Sequence, residues 1–121
     1  EWKPIVKQLE KFARKYDKSI LFAEYGYLSV EGCAGKTWEL EDKRMQLESS
    51  ETAQCYALDA LYKSFYREDF WLGGFLWKWY PRMNGRSTFY TRDYTPQDKA
   101  ASKTISYWYD KLNKSDSTSA N

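Results

Sequence analysis

The residues able to do chemistry in this sequence are carboxylates and aromatic rings. One carboxylate stands out by its setting. In ILFAEYGYLS, residues 20–29, four apolar residues run directly into Glu24, and Tyr25, Gly26 and Tyr27 follow. The apolar run reads as a buried strand. A carboxylate at its end is either a solvated strand terminus or a group placed for reaction. Glu31, Glu39 and Glu41 lie further along with no motif around them. The rings comprise 6 Trp, 11 Tyr and 6 Phe, 19% of the chain. Flat apolar faces with polar edges serve cores, interfaces and sugar-stacking platforms alike, and core packing accounts for most of them.

Other chemistries are excluded by composition. The sequence has no His, which removes His triads, His metal sites and His acid–base catalysis. Cys33 and Cys55 lack metal-type spacing and read as plain thiols. No metal or organic cofactor is implied. The 19 Lys+Arg and 17 Asp+Glu leave a net charge of +2. The basic residues form no run, so no field draws in nucleic acid or an anionic membrane. No apolar stretch approaches the ~18 residues needed to cross a bilayer.

The elements that must position these residues follow from periodicity. With 121 residues the chain is one domain at most, with a modest core. Residues 2–17 place Ile5, Leu9, Phe12, Ala13 and Tyr16 at helical spacing, with Pro4 tolerable in the first turn. Residues 20–25 form a strand whose lack of alternation indicates cover on both faces. Residues 28–50 read as a long polar loop, a length usually tied to function or mobility. Ser50 is an N-cap for a helix over residues 50–68, with Glu51 and Thr52 in its first turn. FWLGGFLWKWYP, residues 70–81, is a second strand ended by Pro81. Residues 82–98 form a second loop, and AASKTISYWYDKL, residues 100–112, is the last helix. Alternating helices and doubly covered strands indicate an α/β fold with parallel strands. Two strands do not make a stable sheet alone, and a full (β/α)8 barrel takes ~200 residues or more. The chain opens on Glu1-Trp2-Lys3-Pro4 without an initiator Met. It is therefore expected to belong to a longer protein or to complete its sheet with partners.

Five segments carry a resemblance: FAEYGY at 22–27, AGKTWE at 34–39, AQCYALDALY at 53–62, GGFLWKWYP at 73–81 and DYTPQDKAA at 93–101. Together they resemble the C-terminal part of a clan A retaining glycoside hydrolase, nearest the family-113 β-mannanase-like group. The resemblance covers all but the tail. It implies that residues 1–113 are the C-terminal portion of a TIM barrel: helix six, strand seven (Ile20–Glu24), helix seven, strand eight (Gly74–Trp79) and helix eight. Residues 114–121 are expected to be a disordered tail. It implies that Glu24, at the C-terminal end of strand seven, is the nucleophile of a retaining hydrolysis, a position where barrel enzymes carry their catalytic groups. It further implies a β-linked glycan of mannan type as substrate, the remainder of the barrel as a covalent or separate partner, and a secreted or periplasmic location. In this clan the acid/base Glu follows an Asn at the end of strand four. No Asn-Glu dipeptide occurs here, the asparagines being Asn84, Asn113 and Asn121. The chain alone therefore lacks the acid/base and is expected to be inactive by itself.

Among the remaining candidates, period-two alternation points Phe22 and Glu24 into the barrel and Leu21 and Ala23 outward against helices. Trp77 and Trp79 share a face by the same rule. The resemblance gives one of them, Trp77 ahead of Trp79, as the floor beneath the sugar at the cleavage point. Tyr25 and Tyr27 read as partners of the nucleophile or sugar, or else as core or rim residues. Trp38 reads as lining a distal subsite. Lys78 and Arg82 read as solvated charges, Asp93 as the cap of a turn before Thr95-Pro96, and Gly73-Gly74 as a bend into the strand. Two other functions compete. One is a non-catalytic carbohydrate-binding or structural barrel fragment acting through assembly, with the Trp platform kept and Glu24 dispensable. The other is an interaction module whose fold is retained for assembly.

Overall fold

A computed structural model describes residues 2–82 and 88–118 of the chain. Residues 83–87 of the second loop and 119–121 of the tail lie outside the described residues. The first helix, α1, spans Lys3–Tyr16 with Pro4 in its first turn. It stops where Asp17 takes φ 49°, and the Lys18 N–H returns to the Ala13 carbonyl at 3.1 Å. Asp is one of the few residues that adopt this left-handed geometry readily. Strand β1, Ile20–Tyr25, follows directly. Helix α3, Glu51–Phe65, starts at Ser50, whose hydroxyl accepts the Ala53 N–H at 3.1 Å. It leads to strand β2, Trp71–Leu76, which pairs parallel with β1. Helix α4 begins at Ala101 and continues to Thr118.

The architecture is mixed helix and strand around a small parallel sheet. Leu58, Leu61, Tyr62 and Phe65 of α3 meet Ala101, Ile105 and Trp108 of α4, and this layer packs on Ile20, Phe22, Tyr25, Trp71 and Leu76 of the sheet. Rings dominate the contact. Phe22 meets Phe65 edge-on at 5.1 Å, and Tyr62 stacks on Trp108 at 6.4 Å. The opposite face of the sheet is open: Leu21 is 52% exposed, Leu72 67% and Phe75 65%.

Several expectations are corrected here. Phe22 points toward the helices, and Leu21 lies on the open face, the reverse of the predicted assignment. The register explains why simple alternation misleads. Ile20 pairs with Trp71, Phe22 with Gly74 and Tyr25 with Leu76. β2 therefore carries an extra residue in the first interval and β1 an extra one in the second. A bulge shifts the phase of all later side chains. The second bulge puts both Phe22 and Tyr25 on the helix side and leaves Glu24 exposed on the other. The first is made by Gly73 at φ 104° and by Gly74, whose missing Cβ would lie 2.7 Å from both Cβ and O of Phe22.

β2 ends at Leu76, short of the predicted strand end at Pro81. The loop of residues 28–50 is not featureless. It contains a short helix, α2, Thr37–Glu41, and a 3-10 turn, Arg44–Gln46, anchored over a second buried cluster of Leu28, Val30, Cys33, Ala57 and Tyr94. Residues 114–118, expected in the tail, continue α4. No Gly or Pro occurs there to stop a helix already anchored by Trp108. Cys33 and Cys55 are free thiols. Among the described residues no helix is long and apolar enough to cross a membrane, and no group of acidic or Cys residues is arranged to hold a metal.

Candidate active site

Glu24 closes β1 at its C-terminal end, and the bulge behind it turns the carboxylate away from the helix layer. It makes no hydrogen bond or ion pair among the described residues, so its oxygens are free to meet a ligand. The C-terminal end of β2 arrives beside it. The Trp77 N–H donates to the Tyr25 carbonyl at 2.6 Å, extending the strand contact by one residue. Gly26 permits this approach, because any Cβ there would run into the Trp77 carbonyl oxygen. The Trp77–Lys78 peptide is cis. Glu24 and Trp77 thus line one cleft of about 400 Å³ at the C-terminal ends of the parallel strands.

The opposite wall comes from the long loop. Thr37, Trp38 and Glu41 of α2 face the cleft, together with Tyr94 from the loop after β2. α2 is fixed at its start by the Thr37 hydroxyl, which donates to the Cys33 carbonyl at 3.1 Å. At its end the Tyr94 hydroxyl donates to Glu41 Oε2 at 3.1 Å. Burial, and then Glu41, push the Tyr94 phenol up to about 12, so it remains a donor at neutral pH. Gln54 of α3 lies fully buried between the two loops. Its Nε2 donates to the Tyr27 and Tyr94 carbonyls, both at 2.9 Å.

A buried carboxylate joins these walls. Asp93 is 1% exposed, yet it accepts from the Tyr80 hydroxyl at 2.7 Å and the Tyr94 N–H at 2.9 Å. It pairs with Lys78 at 3.1 Å and Arg44 at 3.7 Å. Burial works to raise the Asp93 carboxyl, but the hydrogen bonds from Tyr80, Tyr94 and Lys78 outweigh it and hold it below the ordinary carboxylate value. Lys78, next to Trp77, is thus an ion-pair partner, not the solvated charge expected from sequence. Arg82 is exposed. Lys99 is buried as well, its ammonium donating to Ser29 Oγ at 2.8 Å and the Asp93 carbonyl at 3.0 Å. Burial lowers it to about 8, against the pull of Asp93 and Glu51.

The chain belongs to glycoside hydrolase family 113. The family model, Glycoside Hydrolase Family 113, matches residues 1–99. That span contains Glu24, Trp38, Glu41, Trp77 and Tyr94. No curated protein and no solved structure matches the chain.

Within this family-113 chain the sequence candidates separate. Glu24, Trp77 and Trp38 share the cleft. Trp79 is exposed and does not line it. Tyr25 also borders the cleft, but it is buried and its hydroxyl lies 2.6 Å from that of Tyr62. Tyr27 lies on the far side of Trp38, in a depression of about 620 Å³ that it shares with Trp2 and Ile5. Among the described residues no carboxylate lines that depression, so it lacks the chemistry of the smaller cleft. Tyr94 was missed as a site residue, and Glu41 had no motif to single it out. The signal for Tyr94 is the DYTPQDKAA segment, which carries part of the family resemblance, although within it only Asp93 is assigned a role, as a turn cap.

Proposed function

We propose that this chain supplies the nucleophile side of a retaining glycoside hydrolase acting on β-linked glycans of mannan type. β1 and β2 act as strands seven and eight of a (β/α)8 barrel, with α1, α3 and α4 as helices six, seven and eight. The observation that carries this reading is the meeting of Glu24 and Trp77 in one cleft at the C-terminal ends of two parallel strands, the end where barrel enzymes work. The open sheet face, with Leu21, Leu72 and Phe75, fits cover by the remaining strands.

A pyranose ring lays its apolar face on the Trp77 indole, which sets the anomeric carbon before Glu24. The free carboxylate attacks that carbon and displaces the leaving oxygen, giving a glycosyl ester that water hydrolyses. The leaving oxygen needs a proton from a second carboxylic acid ~5–5.5 Å from the first. This residue is supplied by the remainder of the barrel, because no Asn-Glu dipeptide occurs in the chain. Glu41 is engaged elsewhere: Oε2 accepts from the Tyr94 hydroxyl at 3.1 Å and Oε1 lies in an ion pair with Arg44 at 3.5 Å.

The test is Glu24→Gln in the intact protein, assayed on manno-oligosaccharides. The amide keeps the shape and removes the nucleophile. kcat should fall by about a thousandfold or more, while calorimetric glycan affinity stays within a few-fold. Unchanged turnover would remove Glu24 from the mechanism. Retained affinity with no turnover in the wild type would mark a binding protein.

A further inference from the structure

We infer that Glu41 is a second substrate-contacting residue, a braced carboxylate that accepts hydrogen bonds from adjacent hydroxyls of the sugar in the Glu24–Trp77 cleft. The inference rests on the reading of that cleft as a glycoside hydrolase site.

Glu41 is held from behind. Oε2 accepts from the Tyr94 hydroxyl at 3.1 Å, and Oε1 faces the Arg44 guanidinium at 3.5 Å. Arg44 is itself fixed: its side chain is only 19% exposed, it pairs with Asp93 at 3.7 Å, and its guanidinium lies 4.9 Å from the centre of the Phe89 ring. A carboxylate has about four acceptor sites; the Tyr94 hydroxyl uses one, on Oε2, while Oε1 is held by the charge of Arg44. The Glu41 side chain remains 45% exposed and lines the cleft opposite Trp77. Each oxygen therefore keeps at least one open lone pair, which matches a pair of adjacent hydroxyls on one ring. A brace also lowers the ordering cost of binding, since the side chain is already in place.

The other acidic residues of this loop differ. Glu39 turns to Lys36 at 3.1 Å and is absent from the cleft lining. Glu41, by contrast, lines the same cleft as Glu24. Hydrogen bonds from hydroxyls to an ionised acceptor are about twice as strong as neutral ones. Loss of one of them is worth about ten- to a hundredfold in affinity, and loss of both more.

The experiment uses the intact protein carrying Glu24→Gln, so that ligand is not consumed, and reads manno-oligosaccharide affinity by titration calorimetry. Adding Glu41→Ala should weaken binding by about tenfold at the least, and by more than about a hundredfold if both bonds are lost in full. Adding Glu41→Gln, which keeps an oxygen for Tyr94, should weaken it less. Monodeoxy ligands, with each ring hydroxyl removed in turn, complete the test: at least one should bind both backgrounds alike. Affinity within twofold after either Glu41 change overturns the inference. So does an equal loss for every deoxy ligand, which would mean that Glu41 acts only by folding α2. Thermal melting reports whether Glu41→Ala folds, and Glu41→Gln carries the test if it does not. Wild-type turnover with no Glu41 effect removes this inference alone. No turnover and no glycan binding in the parent removes the active-site reading and this inference with it.

Discussion

Trp77 and Trp79 are two positions apart, and alternation puts them on one face, yet their surroundings differ. Trp77 is clamped by its N–H bond to the Tyr25 carbonyl and lines the cleft with Glu24. Beyond it the chain leaves the strand, because β2 ends at Leu76, and Trp79 projects outside the cleft. A ring that receives a pyranose contributes both apolar burial and face-specific stacking. Trp77→Ala should therefore weaken glycan affinity roughly tenfold or more, and Trp79→Ala by less than about twofold. Fluorescence titration of both variants with a manno-oligosaccharide checks this. Equal losses would mean that Trp79 shares the platform. The same scale shows what one residue's neighbours reveal and its letter does not. Glu24 is recognisable as a strand-end carboxylate, but its orientation depends on a bulge that no alternation rule contains. Glu41 looks like one acidic residue among several, because Tyr94, which braces it, lies far along the chain.

At the scale of elements, the cleft depends on two loops that are tied together by buried polar groups. Lys99 joins them, linking Ser29 after β1 to Asp93 after β2. The pull of burial on its ammonium gives a pH signature. Its folded-state value is about 8, against an ordinary 10.5. Between those values the unfolded chain binds the extra proton, so stability gained through this position rises with pH across the window. Below about 8 both states are protonated and the slope vanishes. The stability of the wild type relative to Lys99→Met should thus rise from pH 8 to about 10. Chemical denaturation of both proteins at several pH values measures the difference. A flat difference would mean that Lys99 keeps an ordinary ammonium. Tyr25, Tyr27 and Tyr62, all raised by burial, act in the opposite sense only above their unfolded value of 10. The long elements were legible because their signals are local: Pro4 in a first turn, the Ser50 cap, and the apolar stripe of α3. α2 was not, because its few residues have no periodicity and its stability comes from Cys33, Tyr94 and Arg44.

At the scale of the whole molecule, the family match ends at residue 99, yet α4 belongs to the core. Trp108 stacks on Tyr62 and donates to Asp59 at 2.9 Å, so α4 seals the helix side of the sheet. The other side is unsealed. Among the described residues each strand pairs with one neighbour only, leaving a free edge on both β1 and β2. Leu21, Leu72 and Phe75 expose more than half of their surface on the open face. Two strands are too few for a self-sufficient sheet, and free edges beside apolar surface promote pairing between chains. The isolated 121-residue chain should therefore self-associate. Sedimentation velocity over a range of concentrations should show species heavier than the 14.4 kDa monomer. Replacing Leu21, Leu72 and Phe75 with Lys should shift the distribution toward monomer, because charge on that face opposes its burial against a second copy. Under the proposed barrel, where further strands would cover this face, the same three changes should instead lower the melting temperature of the intact protein. A concentration-independent monomer with a cooperative melt would mean that the two strands suffice, and the need for the rest of a barrel would disappear.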